Sequence, residues 1–142
     1  MRILGIDYGD SRAGIAISDA LGITAQGLET IHHKGNDKII LKRLDEIMHE
    51  YEIGTIVVGK PLNMDGSTSK RVEITEKFIH KLKCKYNKIK VESQDERLTT
   101  VEAHRTMNDL GINKNKKKNL VDTIAAVYIL EMYMNTIQKN NN

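Results

Sequence analysis

Three acidic positions sit where a folding chain would not be expected to leave them. Asp7 lies inside the apolar run from Ile3 to Tyr8. Asp122 lies in "LVDTIAAVYIL", one turn inside the most apolar helical stretch. Asp95 and Glu96 share "QDER", at the end of a strand-like segment. A buried, unpaired carboxylate is costly and tends to neutralise. Each acid has a plainer role open to it: Asp7 capping a hairpin turn, Asp122 facing a helix dipole, Asp95 and Glu96 as solvated loop charges. One shared divalent cation accounts for all three places together, and an oxygen-only ligand set fits Mg²⁺ or Mn²⁺ better than zinc. The histidines (His32, His33, His49, His80 and His104) are scattered and read as surface residues; they make no competing cysteine–histidine spacing.

The elements that must position these acids follow from periodicity. Ile3–Tyr8 alternates as a strand, with Leu4, Ile6 and Tyr8 on one face and Ile3, Gly5 and Asp7 on the other. "GDSR" (Gly9–Arg12) has turn chemistry and Ala13–Ser18 reads as the returning strand. Gln26–His32 reads as a third strand, closed by "KGND". Ile40, Leu44, Ile47 and Tyr51 trace an amphipathic helix with Gly54 as its stop. Thr55–Lys60 is a short buried strand, and Pro61–Ser69 a loop. Val72, Thr75, Phe78, Ile79, Leu82 and Tyr86 mark a second helix, and Lys88–Gln94 returns to strand character. A helix capped by Thr99 or Thr100 is expected to run to Leu110 and stop at Gly111. "NKNKKKN" (Asn113–Asn119) reads as a basic loop, Leu120–Ile137 as a last, largely buried helix, and residues 139–142 as a frayed tail. The expectation is one α/β domain over residues 1–138. Its mixed five-stranded sheet has three antiparallel strands first, then parallel strands reached by helical crossovers, with helices on both faces.

The chain has 142 residues, a net charge of +3 and one cysteine, Cys84. That length suits a single core without disulfides, and an unpaired cysteine fits a reducing compartment. No apolar run approaches the roughly 20 residues a bilayer span requires, and the chain opens directly on a strand. A cytoplasmic protein with no membrane partner is expected. The mild positive charge permits a nucleic-acid partner without requiring one.

Four stretches, "GIDYGDSRAGIAISD", "VVGKPLNMDGS", "DERLTTVEA" and "VDTIAAVYIL", resemble the YqgF family in order and spacing, covering Ile3 to about Leu130. That family is similar to RuvC-type Holliday junction resolvases and has a ribonuclease H-like fold. The resemblance implies a nuclease that processes the 5′ end of pre-16S ribosomal RNA in ribosome biogenesis, or one that resolves branched DNA. It carries Asp7, Glu96 and Asp122 over as catalytic, metal-binding acids. Ribonuclease H-type enzymes usually place the second acid after the fourth strand, but here that strand ends in "GKPLN", with no acid before Asp65. Glu96 is preferred to Asp95 because its longer side chain reaches back. Three carboxylates support metal-assisted phosphodiester hydrolysis, with two ions about 4 Å apart and no protein nucleophile. The products would be a 5′-phosphate and a 3′-hydroxyl.

Phosphate backbones need cations. Arg12 follows the Asp7 turn, Lys70 and Arg71 follow the "MDGSTS" loop, Arg97 follows Glu96, and Lys116, Lys117 and Lys118 precede Asp122. Solvated loop charge is the plainer reading of each; their places beside the acids mark them as candidate nucleic-acid contacts. Lys60 either touches phosphate or snorkels. Tyr8 is expected to pack on the sheet face opposite Asp7 rather than stack on a base. Two other classes compete. One is a catalytically weak RNA-binding module of the same fold. The other is an actin-like ATPase or sugar kinase fragment, which needs a second domain and a second phosphate loop that 142 residues cannot supply. Junction resolution would demand a homodimer with paired sites, whereas RNA trimming is open to a monomer.

Overall fold

The computed structural model describes residues 1–61, 69–95 and 114–141, with side chains over 121–138 in the last segment. Strands β1 (Arg2–Tyr8), β2 (Arg12–Ser18) and β3 (Ala25–His32) form an antiparallel meander. Helix α1 (Asp37–Glu50) leads to β4 (Ile53–Lys60), helix α2 (Lys70–Lys85) to β5 (Lys90–Asp95), and the last described helix, α3, spans Lys114–Asn141. The five strands make one sheet in the order β3-β2-β1-β4-β5, with β4 parallel to both β1 and β5. The expected mixed sheet is therefore the sheet observed. The helix expected from Thr99 or Thr100 to Leu110 lies outside the described residues.

Alternation along β1 decides what covers each face. Leu4, Ile6 and Tyr8 enter the main core with Ile40, Leu44 and Ile47 of α1 and Phe78, Ile79 and Leu82 of α2. These are the helical stripes legible in the sequence. The opposite face, carrying Ile3, Gly5 and Asp7, receives α3 through Ala126, Leu130 and Met134 on Ala16, and through Ile129 and Tyr133 on Val57. The strand thus separates an apolar face for α1 and α2 from a face that seats α3 and bears the carboxylate.

Several local expectations need correction. Helix α1 ends at Glu50, with Tyr51 already extended (φ −127°, ψ 148°), and Gly54 belongs to β4. Parallel pairing with β1 extends the strand backward: Arg2 lies opposite Ile53, and Gly54 leaves room for the Met1 side chain. Residues 114–119 are helical, so most of "NKNKKKN" forms the first turns of α3 rather than a loop. Lysine is a good helix former and no glycine or proline interrupts the run. His33 is fully buried, not at the surface. Its Nδ1 accepts from the Gly35 amide (3.0 Å), so Nε2 carries the proton and donates to the Gly9 carbonyl (2.8 Å). Lys34 (φ 53°) and Gly35 (φ 81°) provide the left-handed turn that aims it. His49 and His80 are exposed, as expected, whereas His104 lies outside the described residues. Cys84 is exposed.

Candidate active site

Asp7 is the next-to-last residue of β1, where its alternation places it on the α3 face. Its partner across the antiparallel ladder is Gly14 of β2. Gly14 is in turn where α3 touches the sheet: a Cβ there would overlap the backbone carbonyl of Asp122. Only a residue without a side chain allows helix and strand this close. Gly27 repeats the device one strand further out, where a Cβ would strike the Thr123 methyl, and the Thr30 and Thr123 hydroxyls hydrogen-bond at 3.0 Å. Two acids 115 positions apart in the chain are thereby brought to one place, one on a central strand and one on the helix lying across it.

Arg12 opens β2 and has the parity of Gly14 and Ala16, so it also faces α3. Its Nε donates to Asp122 Oδ2 at 2.6 Å, with the Arg12 side chain 33% exposed and that of Asp122 16% exposed. The same hairpin turn is gripped from the other side by α2. Arg71 pairs with Asp10, donates to the Tyr8 carbonyl, and lies over the Tyr8 ring at 5.3 Å. Tyr8 packs into the opposite face as expected, stacked on Phe78 (4.1 Å between centroids) and on His33 (5.6 Å). Its hydroxyl donates to Asp37 Oδ1 at 2.5 Å, and Lys81 reaches Asp37 Oδ2 at 2.8 Å. Burial pushes the Asp37 carboxyl upward, but the hydrogen bonds from Lys81 and Tyr8 outweigh it, leaving Asp37 below the usual carboxylate range. Tyr8 moves the other way: burial first, then its bond to the Asp37 anion, raises its phenol well above the ordinary value. The residue after Asp7 is therefore locked in the core.

The remaining candidates divide clearly. Asp95 ends β5 opposite Lys60 of β4, at the same sheet edge as the end of β1. It has the parity of Val91, which belongs to the core under α1 and α2, and so points to the face opposite Asp7. Lys60 pairs with Glu76 of α2 at 3.1 Å. Lys70 is exposed in the first turn of α2, beside Arg71. Lys116, Lys117 and Lys118 lie in α3 within two turns of Asp122, their side chains outside the described residues. Glu96, Arg97 and Asp65 also lie outside the described residues. Among the described residues no cluster of three or more metal-ligating side chains occurs; of the three expected acids, the described residues include Asp7 and Asp122. Two carboxylates without histidine or cysteine are donors suited to a hard dication such as Mg²⁺ or Mn²⁺. Sequence reasoning missed the Arg12–Asp122 pair and the part played by Gly14. The signal for the second was present: a glycine in the middle of the apolar strand "AGIAI" marks close backbone approach.

This arrangement has counterparts among known proteins. The RuvX family, described as Holliday junction resolvase, matches residues 1–136. A protein of Ruminiclostridium cellulolyticum named "Putative pre-16S rRNA nuclease" is 56% identical over 142 residues, covering 99% of this chain and 98% of its own length. One of the same name from Acetivibrio thermocellus is 55% identical, covering 96% of each chain. Among solved structures, the fowlpox virus Holliday junction resolvase superposes with a TM-score of 0.59 at 16% identity, over 96% of this chain and 99% of its own. The Thermus thermophilus RuvC in complex with Holliday junction substrate gives 0.57 at 16% identity, over 97% of this chain and 96% of that one. The fold is thus the ribonuclease H-like fold of RuvC. Matched by the family over nearly its whole length, and more than half identical to full-length relatives, the chain belongs to the RuvX (YqgF) family.

Proposed function

We propose that this protein is a divalent-metal-dependent nuclease that hydrolyses phosphodiester bonds in structured nucleic acid, with the 5′ end of pre-16S ribosomal RNA as its substrate. The observation that carries this reading is the convergence of Asp7 and Asp122 through the contact of Gly14 with α3. The names of the full-length relatives support the choice of substrate. Asp7, Asp122 and Glu96 would hold Mg²⁺ or Mn²⁺. Glu96 is preferred to Asp95 because Asp95 has the wrong strand parity. When bound, the dication supplies the Lewis acidity for phosphodiester hydrolysis.

The chain's own contribution is position and charge. Asp7 is held on a central strand whose next residue, Tyr8, is anchored by Phe78, His33 and Asp37. Asp122 is held by a helix whose height above the sheet is set at Gly14. Lys70, Arg12, Arg97, and Lys116, Lys117 and Lys118 supply cations for the phosphate backbone beside the acids, while Arg71 is committed to Asp10 and the Tyr8 carbonyl and braces the hairpin turn instead. Lysines at a helix N-terminus oppose the helix dipole, and a phosphate bound there offsets that cost. Among the described residues no helix is long and apolar enough to cross a membrane, and a cytoplasmic location suits a substrate made there.

The test is cleavage of a pre-16S 5′-leader RNA and of a four-way DNA junction in Mn²⁺, by the wild type and by Asp7→Asn. The wild type is expected to cut the RNA, and Asp7→Asn to lose on the order of a thousandfold in rate while still binding it. Preferential cutting of the junction would move the protein to branched DNA. Binding without cleavage by either form would make it a binding module and end the nuclease reading.

A further inference from the structure

Arg12 occupies a position that neither a structural ion pair nor a phosphate contact explains alone. Its side chain is one-third exposed, yet its Nε is committed to the mostly buried Asp122 side chain at 2.6 Å. It shares the α3 face with Asp7, whose ladder partner Gly14 is two residues further along β2. Bringing Asp7 and Asp122 together places like charges close to each other, and the guanidinium offsets part of that cost in the metal-free protein. A dication binding Asp122 must contend with that resident charge for the same oxygen. A displaced guanidinium at the rim of the site would be a planar, five-donor group suited to a phosphate.

We propose that Arg12 is an exchangeable counter-cation of the acidic site: it pairs with Asp122 while the metal is absent, and moves to a substrate phosphate when a divalent cation takes its place. This rests on the reading of Asp7 and Asp122 as metal ligands. It assigns Arg12 a positioning role that couples metal loading to substrate binding. The charge of Arg12 lowers the affinity for metal in the empty enzyme, and its release raises the affinity for nucleic acid in the loaded one.

The test is Mn²⁺ binding without nucleic acid, followed by calorimetry and by the electron spin resonance of free Mn²⁺. It compares the wild type, Arg12→Gln and Arg12→Lys. Removing one positive charge a few ångströms from a dication is expected to tighten Mn²⁺ binding on the order of tenfold in Arg12→Gln, with Arg12→Lys close to the wild type. At saturating Mn²⁺, Arg12→Gln is expected to raise KM for the RNA more than it lowers kcat, and to reduce the salt slope of RNA binding by about one. A measurement on the unmodified protein covers the case in which Arg12→Gln fails to fold. The ¹⁵N resonance of the Arg12 Nε–H should move toward that of a free guanidinium as Mg²⁺ is added. Mn²⁺ affinity unchanged or weaker in a folded Arg12→Gln, or an Arg12 Nε resonance indifferent to Mg²⁺, overturns the exchange. A wild type that binds no Mn²⁺ overturns the metal reading, and the exchange with it; a wild type that binds while Arg12→Gln matches it overturns the exchange alone.

Discussion

Single side chains at this site are held by partners from distant elements, and the cost of losing them can be stated. His33 is the clearest case. It is fully buried, closes the turn before α1 through the Gly35 amide, and supports the Gly9 carbonyl two residues beyond Asp7. His33→Leu keeps most of the volume against Tyr8 but strands one acceptor and one donor. Both bonds are part-buried and Gly35 is exposed, so each loss falls at the low end for an unsatisfied group, and the substitution is expected to cost about 1–3 kcal/mol, read as a fall in the urea midpoint with an unchanged m-value. An unchanged midpoint would mean that water takes over both bonds. Arg71 shows how an interaction can differ from what its charge suggests. Its guanidinium spans Asp10 and the Tyr8 carbonyl, so it braces the hairpin turn at the entrance to the site.

Among the described elements, α3 sets where Asp122 lies relative to Asp7. It crosses β1, β2 and β3 close to the backbone because Gly5, Gly14 and Gly27 present no side chains to it. Gly14→Ala is the informative substitution, because the added methyl meets a backbone carbonyl rather than a side chain that can rotate away. Overpacking of this kind costs about 1–3 kcal/mol or more, so a loss of at least ~2 kcal/mol of unfolding free energy is expected. Cleavage should fall further than stability alone explains, because Asp122 moves with the helix. Unfolding and cleavage measured side by side at a temperature where the variant stays folded make the comparison. Full activity there would mean that the height of α3 does not set the position of Asp122.

For the molecule as a whole, ionisable groups tied into the core shape the dependence of stability on pH. Asp37 titrates lower when folded than when unfolded, so it stabilises above the unfolded value near pH ~3.9. That contribution is lost as pH falls through the lower folded value. Tyr8 and Tyr86 titrate higher when folded, through burial first and then their bonds to Asp37 and Asp45. Their contribution is complete below the unfolded value near pH ~10 and is lost as pH rises beyond it. Thermal midpoints are therefore expected to be flat through neutrality and to fall below about pH 4 and above about pH 10. Tyr86→Phe should soften the alkaline decline, because it removes the group that donates to Asp45 at 2.6 Å. An alkaline decline of the same steepness in that variant would assign it to other groups.

The order of the described strands and helices, the faces of β1, and the acids out of place in apolar runs were all legible in the amino-acid order. They rest on local rules: alternation at two, recurrence at three and four, and the cost of an isolated carboxylate. Four motifs in register were enough to place the family. Legibility stopped at contacts between elements far apart in the chain. Nothing local to "HHKGND" says that the second histidine would be swallowed by the core, since that depends on Tyr8 and Gly9 lying above it. Nor does "NKNKKKN" say loop or helix until the helix behind it has a sheet to lie on. Arg12 looked like a free cation next to a turn because its partner lies 110 positions away. Which residues are present, and which side of a strand they face, was determined by sequence alone. Tertiary structure alone decided which charge meets which, because packing α3 onto Gly14 sets that distance and local chain chemistry does not.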